Sequence, residues 1–182
     1  MVAPIRPVTD EQFDAYIRLP ENVDKQFELI GGEIAEAVSS NRSSGMAARF
    51  IRYLLAYVDD QNLGFVTAPD GGYMVAGERY IPDVAYNSFA QQSKLTDDVY
   101  YPHSPDLAIE IMSPTDSERQ ILIKVGNYLA AGTTVWVVYP DEEAVYIYTP
   151  GEKVQILGKE DTLDSGDVIP GFTLELSKIF RD

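Results

Sequence analysis

A chain of 182 residues, 45% of them hydrophobic and 24% charged, has the composition of an ordinary globular protein and predicts a single domain. The absence of cysteine excludes disulfide frameworks, thiolate zinc sites and cysteine nucleophiles. The formal charge of −15, from 29 acidic and 14 basic residues, argues against tight non-specific binding to nucleic acid, although a divalent metal and a local basic patch can reverse the field at a site.

The apolar segments of the chain bear on its location. The first residues, MVAPIRPVTDEQF, lack the apolar core of a signal peptide, and no apolar run is long enough to span a bilayer. We therefore expect a cytoplasmic protein without a membrane partner.

The first part of the chain predicts two helices and a hairpin. Thr9 and Gln12 have the spacing of a capping box at the start of a short helix. The glycine pair in QFELIGGEIAEAV predicts a β-hairpin. The apolar stripe in SSGMAARFIRYLLAYVDDQN predicts a long amphipathic helix that stops at Gly64.

The rest of the chain predicts a mixed sheet around one more helix. Its strand-like segments are FVTA, GYMVA, RYIPDVAYN, DLAIEIM, TTVWVVYP, AVYIYT and KVQIL. The helix SERQILIKVGNYLAAG lies between the fourth and fifth of them, which implies a parallel crossover. We therefore predict an α/β fold of the mixed α+β type, with a central mixed sheet flanked by helices.

Two acidic residues lie inside strand-like segments. Asp83 shares a strand face with Ala85, and Glu110 shares one with Ala108. Two carboxylates on neighbouring strands repel each other unless a cation lies between them, and Mg²⁺ is a hard ion that takes one or two carboxylates. We predict a shared metal site. The alternative is that Asp83 caps a bulge and Glu110 pairs with a basic side chain.

Lys124 lies at the edge of the apolar arc of the last predicted helix. A lysine there can lay its stem on the sheet and bring its ammonium group towards the preceding strand. It could then orient a water molecule or stabilise charge on a scissile phosphate. The alternative is an ordinary surface lysine.

Four other polar positions predict structural roles. His103, in a polar loop, is interpreted as a solvated histidine. Asp106 is expected to cap a strand edge, and Asp116 and Ser117 are expected to cap the helix that follows them.

Several motifs in this order resemble one bacterial family, the Uma-type restriction-endonuclease-like proteins of the PD-(D/E)XK nuclease superfamily. They are YIPDVAYN, PDLAIEIMSPTD, a lysine and YLAAG on the next helix, VWVVYPDEEAVYIY, and DVIPGF. The likeness runs from FELIGGEI to LSKIF. It implies one nuclease-like domain over residues 1–182, with a restriction-endonuclease-like core at about 26–157 and a closing segment at 158–182.

The resemblance also implies site residues. Asp83 matches the aspartate that follows proline in the motif, and Glu110 matches the acidic position of the (D/E)XK half-motif. Met112 stands where that half-motif has lysine, so the resemblance points to Lys124 on the next helix. Glu33 matches an acid of the family's hairpin and is implied as a further ligand or water-positioning group.

The activity implied by the resemblance is hydrolysis of phosphodiester bonds in DNA, with Mg²⁺ or Mn²⁺ held by Asp83 and Glu110. Cleavage of both strands of a duplex would favour a homodimer. Ser44 stands where many relatives have a histidine, and Asn41 or Arg42 could replace it as a phosphate contact. The alternative is a catalytically weak or inactive nuclease-fold module that binds nucleic acid or a protein.

Overall fold

The computed structural model of the chain describes residues 7–114 and 116–181. Its α-helices are α1 (Asp10–Ile17), α2 (Asn41–Gln61) and α3 (Glu118–Ala130). Its strands are β1 (Phe27–Ile30), β2 (Glu33–Glu36), β3 (Gly64–Thr67), β4 (Gly72–Val75), β5 (Glu78–Tyr80), β6 (Val84–Ser88), β7 (Tyr100–Tyr101), β8 (Leu107–Ile111), β9 (Thr134–Tyr139), β10 (Ala144–Tyr148), β11 (Gln155–Gly158), β12 (Thr162–Asp164) and β13 (Thr173–Glu175). A 3₁₀-helix follows at Leu176–Lys178.

The strands form two large sheets. The central sheet has six strands in the order β11-β10-β9-β8-β6-β3, and the hairpin sheet has five in the order β2-β1-β5-β4-β7. β8 and β9 run parallel with α3 between them in the chain, whereas β6 runs antiparallel to β8. The predicted mixed sheet flanked by helices is therefore confirmed.

Both faces of the central sheet are buried. One face packs against α2 and the C-terminal segment, with Phe50 and Trp136 at the centre of that core. The other face packs against α3 and the hairpin sheet, where Ala108 and Tyr128 are fully buried. Strands covered on both faces read as continuous apolar runs. Glu110, on β8, is therefore a charged residue inside the second core.

Local hydrogen bonds confirm several predicted roles. Thr9 and Gln12 form the predicted capping box. Asp106 Oδ2 accepts a hydrogen bond from the Ser88 main-chain N–H at 2.6 Å, as a strand-edge cap should, and His103 is exposed. None of the helices in the described ranges combines the length and the apolar character that crossing a bilayer requires.

The end of α2 differs from its prediction. The helix ends at Gln61, and its C-cap residue Asn62 has a left-handed conformation (φ 53°) that closes the last turn. Gly64 is instead the first residue of β3. A Cβ atom there would lie 1.9 Å from the carbonyl oxygen of Asn87 on the paired strand β6. Glycine is required by the close approach of two strands.

Two glycine-to-alanine substitutions should therefore have opposite effects on stability. Gly64→Ala forces two strands apart, and we expect it to lower the free energy of unfolding by about 1–3 kcal/mol. Gly45 lies within α2 with nothing within 4 Å of its ideal Cβ position, so Gly45→Ala should raise that free energy by about 0.5–1 kcal/mol. Urea unfolding measures both. A Gly64→Ala variant as stable as the wild type would contradict the described strand contact.

Candidate active site

Asp83 and Glu110 lie on one face of the central sheet. The register of β6 and β8 pairs Val84 with Ile109, so Asp83, which immediately precedes β6, is aligned beside Glu110. Both side chains line a cavity of about 480 Å³, called the acidic cavity below. The Ile111 main-chain N–H donates a hydrogen bond to Asp83 Oδ2 at 2.7 Å, which fixes this carboxylate against the end of β8.

Lys124 reaches the same cavity from α3. Its side chain is 6% exposed, and its Nζ lies 2.7 Å from Glu110 Oε2 and 2.8 Å from Glu28 Oε1. The alternative of a surface lysine is therefore wrong. Glu110 does pair with a basic side chain, as the alternative to a metal site proposed, and this pair is part of the same cavity.

Glu28 is an acid of this site that sequence reasoning missed. It lies buried on β1, and its Oε1 also accepts a hydrogen bond from the Ile81 main-chain N–H at 2.7 Å. The signal was present in the sequence, because Glu28 interrupts the apolar run FELI in the same way that Glu110 interrupts LAIEI. A charged residue inside a buried strand calls for a partner.

Glu33 lies outside the acidic cavity. The hairpin register pairs Glu28 with Ala35 and Ile30 with Glu33. Glu33 is therefore two residues, about 7 Å, closer to the hairpin turn than Ala35. Its side chain is exposed, whereas Glu28 and Ala35 line the cavity. The hairpin thus contributes Glu28, in place of the expected Glu33, to the group formed by Asp83, Glu110 and Lys124.

Hydrogen bonds fix the orientation of the two central carboxylates. The Tyr128 hydroxyl, fully buried on α3, donates to Glu110 Oε1 at 3.0 Å, while Lys124 binds Oε2. The Ser39 hydroxyl donates to Asp83 Oδ1 at 3.3 Å. Both groups are therefore held by at least two partners from other elements.

The charges of the site do not cancel. When ionised, Asp83, Glu28 and Glu110 carry three negative charges against one positive charge on Lys124. Burial raises the pKa of Glu110 to about 8, and repulsion from Glu28 and Asp83 adds to this, although Lys124 acts in the opposite direction. Burial likewise raises the pKa of Asp83. Burial lowers the pKa of Lys124, but attraction to Glu110 and Glu28 outweighs it and raises that pKa above its usual value.

Residues expected at helix ends lie at the rim. Asp116 lines the acidic cavity, and its Oδ2 accepts a hydrogen bond from the Ser113 main-chain N–H at 2.7 Å. Ser117 is the N-cap of α3, as predicted, although its side chain makes no capping hydrogen bond. Ser44, where the resemblance implies a histidine in relatives, is exposed, whereas Ser43 is buried and lines the cavity.

The donor groups suit a hard divalent cation. In residues 7–114 and 116–181, no cluster of three or more His, Cys, Asp or Glu side chains could hold a metal ion. Mg²⁺ needs only one or two carboxylates and keeps several waters. Asp83 and Glu110 line a cavity many times the volume of one water molecule. Each carboxylate oxygen has a second lone pair to offer, and the excess of two negative charges matches Mg²⁺ or Mn²⁺.

Comparisons with known proteins show the family and the fold. The Uma2 family model, described as "Putative restriction endonuclease", matches residues 13–177. A solved structure described as "a putative nuclease belonging to DUF820", from Anabaena variabilis ATCC 29413, matches with a TM-score of 0.81 and 19% identity, over 96% of this chain and 98% of that one. At this identity the likeness shows the fold. The search of curated proteins found no match.

The raised pKa of Glu110 predicts a pH-dependent stability. Between its usual pKa of 4.5 and its folded-state pKa of about 8, the folded chain holds a proton that the unfolded chain has released. This stabilisation is complete below the lower value and is lost as pH rises through the upper one. Relative to Glu110→Gln, the free energy of unfolding of the wild type should therefore fall from about pH 5 to pH 8, by at most about 1.4 kcal/mol per pH unit.

Urea unfolding of both proteins at a series of pH values measures this difference. Parallel curves for the wild type and Glu110→Gln would contradict a raised pKa at Glu110. Glu152→Gln, which removes an exposed carboxylate far along the chain, serves as the control and should follow the wild type.

Proposed function

This chain belongs to the Uma2 family, and on that premise we propose that it is a metal-dependent DNA endonuclease that hydrolyses phosphodiester bonds. One observation carries the proposal. Asp83, Glu110 and Lys124 come from the edge of β6, from β8 and from α3, and all three line a single cavity.

Asp83 and Glu110 would hold Mg²⁺ or Mn²⁺. When bound there, the ion would polarise the scissile phosphate and lower the pKa of an attacking water. The hydrogen bonds of Ile111 to Asp83 and of Tyr128 to Glu110 hold the ligands before binding, so little reorganisation would be needed.

Lys124 supplies a permanent positive charge beside these carboxylates. An ammonium group has three N–H donors, and two of them are used by Glu110 and Glu28. The third would be available to orient a water or to donate to a phosphate oxygen. The raised pKa of Lys124 keeps the group charged at neutral pH.

A nuclease-fold module that binds nucleic acid without cleaving it is the second candidate. It is favoured by Ser44, which stands at the position of a histidine in many relatives and is exposed.

Cleavage of both strands of a duplex would also call for a second copy of the chain, related by two-fold symmetry.

Plasmid nicking in the presence of Mn²⁺ tests the proposal. Asp83→Asn and Glu110→Ala should each lower the cleavage rate on the order of 100-fold or more, because each removes a carboxylate that would hold the metal ion. The surface variant Glu152→Gln should cleave like the wild type. Equal cleavage by Glu110→Ala would mean a contaminating nuclease or a wrong site.

Calorimetric titration with Mg²⁺ tests metal binding at the site independently of cleavage. Saturable binding by the wild type and its loss in Asp83→Asn would support the site. Metal binding without any cleavage would favour the binding module.

The hairpin acids can be tested against each other in the same cleavage assay. Glu28→Gln leaves Lys124 with one carboxylate and should lower the rate, because it changes the charge and position of a group in the acidic cavity. Glu33→Gln changes an exposed side chain outside the cavity and should have no measurable effect. The reverse result would show that Glu33, as the resemblance implied, is the functional acid.

A further inference from the structure

Three arginines lie together on the exposed side of α2. Arg42, Arg49 and Arg52 fall within about 80° of one another around the helix axis, counting 100° per residue. Arg42 and Arg52 are exposed, and Arg49 is half-buried. The buried stripe of the helix, which includes Phe50 and Leu54, faces the core instead.

The C-terminal segment adds a fourth cation to this surface. The guanidinium carbon of Arg52 lies 5.3 Å from the centre of the Tyr53 ring, and Lys178 Nζ lies 6.0 Å from it. Arg49 donates hydrogen bonds to the carbonyl oxygens of Ile179 and Arg181, which joins α2 to this segment. We call Arg42, Arg49, Arg52 and Lys178 the cationic track.

The charge of the track is only partly compensated. Within the described ranges, neither Arg49 nor Arg52 forms a salt bridge, although the chain has 29 acids for its 14 bases. Lys178 pairs with Glu175 at 3.1 Å, and that pair is solvent-exposed on both sides. Exposed pairs of this kind are weak and readily exchanged for another anion.

The distribution of charge along α2 runs against its macrodipole. The first turn contains Arg42 and no acid, and the last turn contains Asp59 and Asp60 and no base. A helix dipole favours the opposite arrangement. Helix stability therefore does not account for these charges.

A second cavity connects the track to the acidic cavity. It has a volume of about 340 Å³, its charged lining residues are Arg42, Asp141 and Glu142, and it shares Ser43, Met112 and Ser113 with the acidic cavity. Arg42 is paired there with Asp141 and donates to the Pro140 carbonyl oxygen at 2.7 Å. Arg49 lies seven residues further along the helix, about 10 Å from Arg42.

We propose that the cationic track binds the phosphodiester backbone of a DNA strand and leads it through the second cavity to the acidic cavity. The inference rests on the proposed function for the identity of the polyanion. It explains how a chain with a charge of −15 presents a local positive field to its substrate.

Fluorescence anisotropy with a labelled DNA oligonucleotide, single-stranded and as a duplex, tests the track. The titrations contain EDTA, so that binding is measured without metal and without cleavage, and they cover about 50–200 mM salt because phosphate contacts give a defined salt slope. The test variants are Arg52→Gln and Lys178→Gln, singly and combined. Lys94→Gln and Lys153→Gln, which remove exposed lysines outside the track, are the matched controls.

We expect the combined track variant to bind about tenfold more weakly, with a salt slope smaller by about one for each phosphate that the variant no longer neutralises. The controls should bind like the wild type, and Arg52→Lys, which keeps the charge, should restore most of the slope. The stronger of the two effects, on single strand or duplex, identifies the form of DNA that the track takes.

Two results would overturn the proposal that the cationic track binds DNA. One is equal binding by the track variants and the controls, and the other is no saturable binding by the wild type. Both differ from a failure of the proposed function, which would appear as the absence of metal-dependent cleavage by the wild type or as cleavage that survives Glu110→Ala. If cleavage requires Glu110 but the track variants bind DNA like the controls, the proposed active site is supported and DNA binding by the cationic track is rejected.

Discussion

The buried ion triad formed by Lys124, Glu110 and Glu28 is the interaction on which the arrangement of the site depends. Its members come from α3, the central sheet and the hairpin sheet, and their side chains are at most 10% exposed. An unpaired charge at such depth costs several kcal/mol. Separation of any of the three elements would therefore leave a charge without its partner. The acidic cavity lies where the three elements meet.

Such a triad is a poor way to stabilise a fold. Well-packed apolar side chains in the same volume are often equally stable or more so. Tyr128 and the Ile81 main chain satisfy further lone pairs of the two glutamates, yet Asp83 adds another negative charge that no basic group in the triad balances. Burial is the main cause of the raised pKa of Glu110, and repulsion from Glu28 and Asp83 adds to it. A bound cation or proton would relieve that repulsion. Metal binding and proton release are coupled at such a site.

The sequence predicted the contacts that are close along the chain. Strand alternation placed Asp83 and Glu110 on equivalent faces, and the apolar arc of α3 placed Lys124 towards β8, only 14 residues away. The bond from Lys124 to Glu28 spans 96 residues and depends on where the hairpin sheet packs. No local pattern contains that information, so the resemblance alone pointed to Glu33. The end of α2 was misplaced for a related reason. Glycine is required at Gly64 by the close approach of a paired strand, and no local pattern shows that contact.

An acidic site that takes a polyanion needs positive charge from several sources at once. Lys124 is internal and already committed to two carboxylates, so its charge reaches a substrate only in part. A divalent ion would offset the excess of two negative charges at Asp83, Glu28 and Glu110, but it acts only over the width of the cavity. Attraction beyond that distance requires fixed surface cations. α2 has its arginines between Arg42, at the cavity end, and Arg52, and its aspartates in the last turn. On the proposed function, this gradient would direct an anion towards the site.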